Sequence, residues 1–135
     1  MKKSLSAREE MEINAQLPEF FENAFGMGAG ALWCQIDSSL TLEVRRRIFL
    51  YILQMLFSTG KVFWGVEGSL VSDLAQVVYE FEVKWPEEDR FDDDNFNTVL
   101  PYWDQGKLKT HLWIAGDLVW VGSDGKLLWS TDSIV

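Results

Sequence analysis

Leu42-Glu43-Val44-Arg45-Arg46-Arg47-Ile48-Phe49-Leu50-Tyr51-Ile52-Leu53-Gln54-Met55-Leu56-Phe57 changes character half-way along. Its first turns are charged, and Glu43 and Arg47 stand at the favourable i,i+4 spacing of a helical ion pair. Its later turns are apolar on nearly every side, the signature of a helix buried all round. This stretch is therefore predicted to be a helix at the centre of the core. The triple arginine reads as a solvated helix start. Asp37-Ser38-Ser39-Leu40-Thr41 supplies the N-cap, with Ser39 and Thr41 both suitable. Gly60 ends the helix.

Toward the N-terminus, Ser6-Ala7-Arg8-Glu9 reads as a capping box. The helix it opens is expected to run to about Leu17, where Pro18 kinks it or begins a second short helix. In that second piece Leu17, Phe21 and Phe25 recur every four residues, and Gly26 is a plausible stop. Gly26-Met27-Gly28-Ala29-Gly30 lacks both the spacing and the strand-to-helix context of a phosphate loop, so it reads as a connector. Ala31 to Ile36 is expected to be a short strand with Cys34 as a buried thiol. The chain's single histidine, His111, lies in a distant segment, which argues against a cysteine nucleophile.

Toward the C-terminus, Lys61 to Val66 reads as a strand closed by Glu67-Gly68-Ser69. Residues 70–85 fit two periods. Leu70, Leu74, Val77, Val78, Phe81 and Trp85 fit a helix capped by Ser69, with a Glu80–Lys84 pair. Tyr79, Phe81, Val83 and Trp85 alternate like a strand. The helix covers more residues and is the expectation, and Pro86 stops either form. Residues 95–106 read as irregular, with Pro101-Tyr102-Trp103 as a rigid corner. Leu108, Thr110, Leu112 and Ile114 then alternate with Lys107, Lys109, His111 and Trp113 as a strand. Ala115-Gly116-Asp117 turns into Leu118-Val119-Trp120-Val121, and Ser123-Asp124-Gly125 turns again into Lys126-Leu127-Leu128-Trp129. The expected architecture is a single α+β domain over residues 1–135, with residues 1–5 disordered. N-terminal and central helices pack on an antiparallel sheet that ends in a three-strand meander and is joined by strands near 32–36 and 62–66.

Composition narrows the function. The 135 residues are 47% hydrophobic and 14% aromatic, which suits one domain with a substantial core. Most of the aromatics are expected in that core. A net charge of −9 argues against nucleic acid and against anionic membrane surfaces as partners. The lone Cys34 fits a reducing cytoplasm, and no apolar run is long enough to span a bilayer. Met1-Lys2-Lys3 is not followed by the apolar stretch of a signal peptide.

The charge is concentrated. Trp85-Pro86-Glu87-Glu88-Asp89-Arg90-Phe91-Asp92-Asp93-Asp94-Asn95 holds six carboxylates and one arginine, more than half of the net charge. Such a run is either a solvated loop or an electrostatic docking surface. Complementary charge accelerates encounter toward roughly 10⁸–10⁹ M⁻¹s⁻¹ at low salt. A basic partner fits, such as a nuclease whose surface is built for phosphate. Trp85, Phe91, Phe96, Tyr102 and Trp103 flank the charges as possible anchor residues. Glu87, Glu88, Asp89, Phe91, Asp92, Asp93, Asp94, Tyr102 and Trp103 are the candidate partner-binding residues. Asp92, Asp93 and Asp94 are contiguous and lack the glycine-turn spacing of a calcium loop. No catalytic residue, metal or cofactor is expected, and His111 reads as a surface histidine.

The C-terminal half also carries a resemblance. An apolar segment ending Trp85-Pro86, an acidic stretch, and the terminal hairpin Val119-Trp120-Val121…Asp124-Gly125-Lys126-Leu127-Leu128-Trp129 resemble a bacterial family of uncharacterised small acidic proteins. That family is similar to the immunity proteins of contact-dependent growth inhibition and other polymorphic toxin systems. The resemblance spans roughly residues 40 to 130. It implies a cytoplasmic, non-enzymatic protein that binds and neutralises one cognate toxin domain, often a nuclease; a monomer or weak homodimer is expected. It transfers no catalytic or binding residues. A cytoplasmic secretion chaperone for an effector or adhesin is the alternative, and a strict homodimer would favour it.

Overall fold

The computed structural model describes residues 5–86, 99–130 and 133–134; in 99–102 and 111 it describes the backbone alone. Four helices pack on one face of a four-stranded antiparallel sheet, and a separate two-stranded hairpin lies outside that sheet. The α+β architecture is as the sequence predicts.

Helix α1 spans Ala7–Ala24. Ser6 Oγ accepts from Glu9 N at 3.1 Å and Ser6 N donates to Glu9 Oε1 at 2.9 Å, so the capping box forms. Pro18 lies within this one helix and opens no second one. Ile13, Phe20 and Ala24 are buried on either side of the proline, and Leu17 and Phe21 pack partly against the core. Burial along one face on both sides of the lost hydrogen bond holds the helix together. Leu5, expected in a disordered terminus, also packs against the core; residues 1–4 lie outside the described set.

The segment expected as a strand at 31–36 is instead a short helix, α2, spanning Ala29–Trp33. Its N-terminus is capped from across the fold, where Asp117 Oδ1 accepts from Ala29 N at 2.7 Å. Gly28 makes this approach possible, since a Cβ there would collide with the Asp117 carboxylate. Cys34, just past the helix end, is exposed rather than buried.

Helix α3 spans Leu42–Ser58 and begins at Thr41, whose Oγ1 accepts from Val44 N at 3.3 Å. Phe49, Ile52, Leu53, Leu56 and Phe57 are buried, and Arg47 pairs with Glu43 as the spacing predicts. Helix α4 spans Leu74–Lys84 with Asp73 as its N-cap, and Lys84 lies 3.5 Å from Glu80. The cap is not Ser69, because Ser69–Leu70 forms a short strand.

That strand is β2, paired with β1 (Val62–Val66) across a tight turn at Glu67-Gly68. Both turn residues have positive φ, 51° and 79°, as a two-residue hairpin of right-handed twist requires. Strands β5 (Asp117–Val121) and β6 (Leu127–Trp129) complete the sheet in the order β2-β1-β5-β6. Val62, Trp64, Leu118 and Trp120 share the face turned to the helices and belong to the core. Their indoles find acceptors, with Trp64 Nε1 donating to Ala115 O at 2.9 Å and Trp120 Nε1 to Met27 O at 2.7 Å. The glycine-rich connector is thereby fixed to the central strand.

The expected three-strand meander is only partly formed. The hairpin through Ser123-Asp124-Gly125 is present, with Val121 opposite Leu127. Residues 107–112 are a strand, but they do not pair with β5. Strand β4 (Lys107–Leu112) pairs backward with β3 (Val99–Asp104), where no regular structure was expected.

Candidate protein-interaction surface

Trp85 and Trp113 are both buried, at 8% and 2% exposure, and their rings lie 5.3 Å apart. Trp85 also meets Trp33 at 5.3 Å and Phe49 at 5.7 Å, while Phe81 packs edge-on to Trp113 at 5.6 Å. Five aromatics of α2, α3, α4 and the segment after β4 thus form one packed centre. Trp85 and Trp113 thus bracket residues 86–112 in sequence, and apart from Pro86 the described part of that stretch is the β3–β4 hairpin. The acidic run precedes that hairpin in sequence, and its carboxylates lie outside the described residues.

Among the described residues, the hairpin has no extensive packing contact with any other element. Its turn is Gln105-Gly106, again with positive φ at both positions, 51° and 76°. Register places Trp103 opposite Leu108 and Asp104 opposite Lys107. Side chains alternate across a strand, so Trp103, Leu108, Thr110 and Leu112 share one face, and Asp104, Lys107 and Lys109 the other. On the polar face Lys109 Nζ lies 2.7 Å from Asp104 Oδ2. On the apolar face Trp103, Leu108 and Leu112 are 73%, 60% and 53% exposed. An exposed tryptophan beside an exposed leucine is the composition of an interface anchor.

Of the candidate binding residues, Glu87, Glu88, Asp89, Phe91, Asp92, Asp93 and Asp94 lie outside the described set, as does Phe96. Tyr102 is placed in β3 by its backbone alone, and Trp103 stands on the exposed face. Trp85, suggested as a flanking anchor residue, is instead a core residue. Leu108 and Leu112 were missed as candidates. Their alternation was visible, but the sequence suggested a strand of the main sheet, which would have covered one face.

The triple arginine departs from the expected solvated helix start at one position. Arg45 is only 3% exposed, and its guanidinium lies over the Trp33 ring at 4.4 Å. Its place four residues before Phe49 was the available signal. Asp37 lies within its electrostatic reach. That carboxyl is held below its ordinary value, chiefly by the Ser39 backbone N–H, then by the Ser39 hydroxyl, with Arg45 adding a smaller share.

Among the described residues, no group of three or more His, Cys, Asp or Glu side chains is placed to hold a metal ion. No described helix is long and apolar enough to cross a membrane.

No protein-family model matches the chain, and no curated protein matches it in sequence. One solved structure resembles it, an uncharacterised protein conserved in bacteria, from Neisseria meningitidis. The two superpose with a TM-score of 0.62 over 88% of this chain and 90% of the other, at 17% identity. That likeness is one of fold.

Proposed function

We propose that this chain is a non-enzymatic immunity protein, acting in the cytoplasm, that binds and neutralises a cognate toxin domain of basic, nuclease type. The observation that carries the reading is the exposed Trp103-Leu108-Leu112 face on a hairpin that follows the acidic run in sequence. The carboxylates steer a basic domain and the apolar face holds it. Steering by exposed charge is screened beyond about 8 Å at physiological salt, so association slows as salt rises while the apolar contacts persist. The test is a low-salt pull-down followed by co-expression of the captured partner. A single basic domain that is toxic alone, and tolerated with this protein but not with a Trp103→Ala, Leu108→Ser variant, is the expected result. A partner that is harmless, or protection indifferent to the variant, overturns the reading.

A secretion chaperone is the second reading, supported by a groove of about 480 Å³ between α3 and α4. Phe57, Leu74 and Val78 line it, and the neighbouring Tyr79 is 56% exposed. A strict homodimer in sedimentation, holding an unfolded effector segment, would favour it.

A further inference from the structure

A second surface lies on the helical layer, along α1. Two adjoining depressions of about 420 and 280 Å³ share Gln16, Phe20 and Gln35, and so form one trough along α1. Ile13, Phe20 and Ile36 make its floor, with Val44 and Ile48 on the α3 side. Glu9, Glu12 and Glu19 stand along the α1 rim and Asp37 on the opposite one. No lysine or arginine is among the described residues that line it. Arg8, which reaches Glu12 at 3.4 Å, is 90% exposed and lies off the trough.

Two further features add to the negative potential. Helix α1 carries five glutamates against one arginine, and its last turn has no basic residue. Phe20 O accepts from Gln35 Nε2 at 3.2 Å and Ala24 O from Met27 N at 2.9 Å, but no cationic side chain of α1 itself offsets the partial negative charge of that end, beside Glu19 and Asn23. From Glu9 to Asn23 the trough runs roughly 21 Å at 1.5 Å per residue, the length of about four helical turns. An apolar floor at Ile13, Phe20 and Ile36, with three glutamates along one rim and Asp37 on the other, is complementary to a helix with an apolar ridge flanked by cations. We infer that the α1 trough is a docking site for a basic amphipathic helix of a protein partner.

The inference does not rest on the hairpin reading, and the experiment separates the two. The probe is a synthetic 14-residue helix of alternating Leu and Lys faces, with a Leu/Glu counterpart as control. Binding is followed by calorimetry at low salt and mapped by methyl NMR. The Leu/Lys peptide is expected to bind at least tenfold more tightly than the Leu/Glu peptide, shifting Ile13, Ile36 and Val44. A Glu12→Gln, Glu19→Gln variant keeps good helix formers in α1 and is expected to lose tenfold or more in affinity. Trp103→Ala is expected to change nothing. Equal affinity for both peptides, indifference to the double variant, or shifts confined to residues 86–112 overturns the assignment. So does binding that appears only after residues 1–4 are removed, which would make the chain's own Lys2 and Lys3 the occupant.

Discussion

Trp113 and Trp103 belong to neighbouring stretches of one chain, yet one is 2% exposed and the other 73%. Trp113 meets Trp85 and Phe81 and closes the aromatic centre. Trp103 stands on a hairpin whose sheet has two strands and no further partner among the described residues. Composition treats the two alike. What separates them is not residue type but whether another element covers them: Trp113 lies just past the end of β4, against Phe81 of α4, while Trp103 stands on the open face of β3. An isolated hairpin is marginal in water, and among the described residues no other strand pairs with this one and its apolar face stays largely exposed.

The comparison can be broken most severely from the core side. Phe49 is fully buried and contacts Trp33, Phe81 and Trp85. Phe49→Ala is expected to cost about 3–5 kcal/mol and Leu53→Ala about 2–5 kcal/mol in denaturant unfolding. A loss of a few tenths at either position would mean that the aromatic centre is not the core.

A smaller effect is expected at Asp117, where the core depends on one side chain far away in sequence. Asp117 Oδ1 accepts from Ala29 N and from Leu118 N, both at 2.7 Å. Asp117→Ala strands both donors and is expected to cost about 1.5–3 kcal/mol. Amide exchange should accelerate first in 29–33; uniform acceleration would mean that α2 is held by packing instead.

That contact also explains what the sequence left illegible. The Ser6–Glu9 box, the Glu43–Arg47 pair and the Asp124-Gly125 turn are local devices, each readable from its own neighbourhood, and the cap of α3 was narrowed to Ser39 or Thr41. Helix α2 was not, because Ala29-Gly30-Ala31-Leu32-Trp33 has no period to read and takes its cap from β5. Strand β4 was legible as a strand, but its partner was not. Gln105-Gly106 turns the chain with a left-handed glutamine, where asparagine or aspartate is the usual signal. Within the candidate surface, Trp103 was readable as an aromatic beside charge. Leu108 and Leu112 became candidates only once their strand was seen to lie outside the main sheet.

On the hairpin side the expectation is reversed. Trp103→Ala and Leu108→Ser are expected to change folding stability by no more than about 0.5 kcal/mol, since among the described residues they lose little beyond their cross-strand contact with each other. Against a cognate partner, the same change at Trp103 is expected to cost about 2 kcal/mol or more in binding. A large loss of stability would place Trp103 in a core and erase the contrast with Trp113.

The smallest effect tests whether an exposed, locally built turn behaves independently of the core. Asp37 accepts from Ser39 N at 2.9 Å and from Ser39 Oγ at 2.7 Å. Both bonds favour the ionised form and lower the folded-state pKa. A carboxyl with a depressed folded pKa contributes stability above its unfolded value, about 3.9 for aspartate. That contribution is lost as pH falls through the folded value. Carboxyl NMR titration should therefore find Asp37 below the unfolded-chain midpoint. Ser39→Ala removes the hydroxyl but keeps the backbone donor, which is the larger cause, so the midpoint should rise only part of the way. A complete return would make the hydroxyl the main determinant. An unchanged midpoint would shift the cause to the backbone donor and to Arg45, tying this surface turn to the buried cation over Trp33.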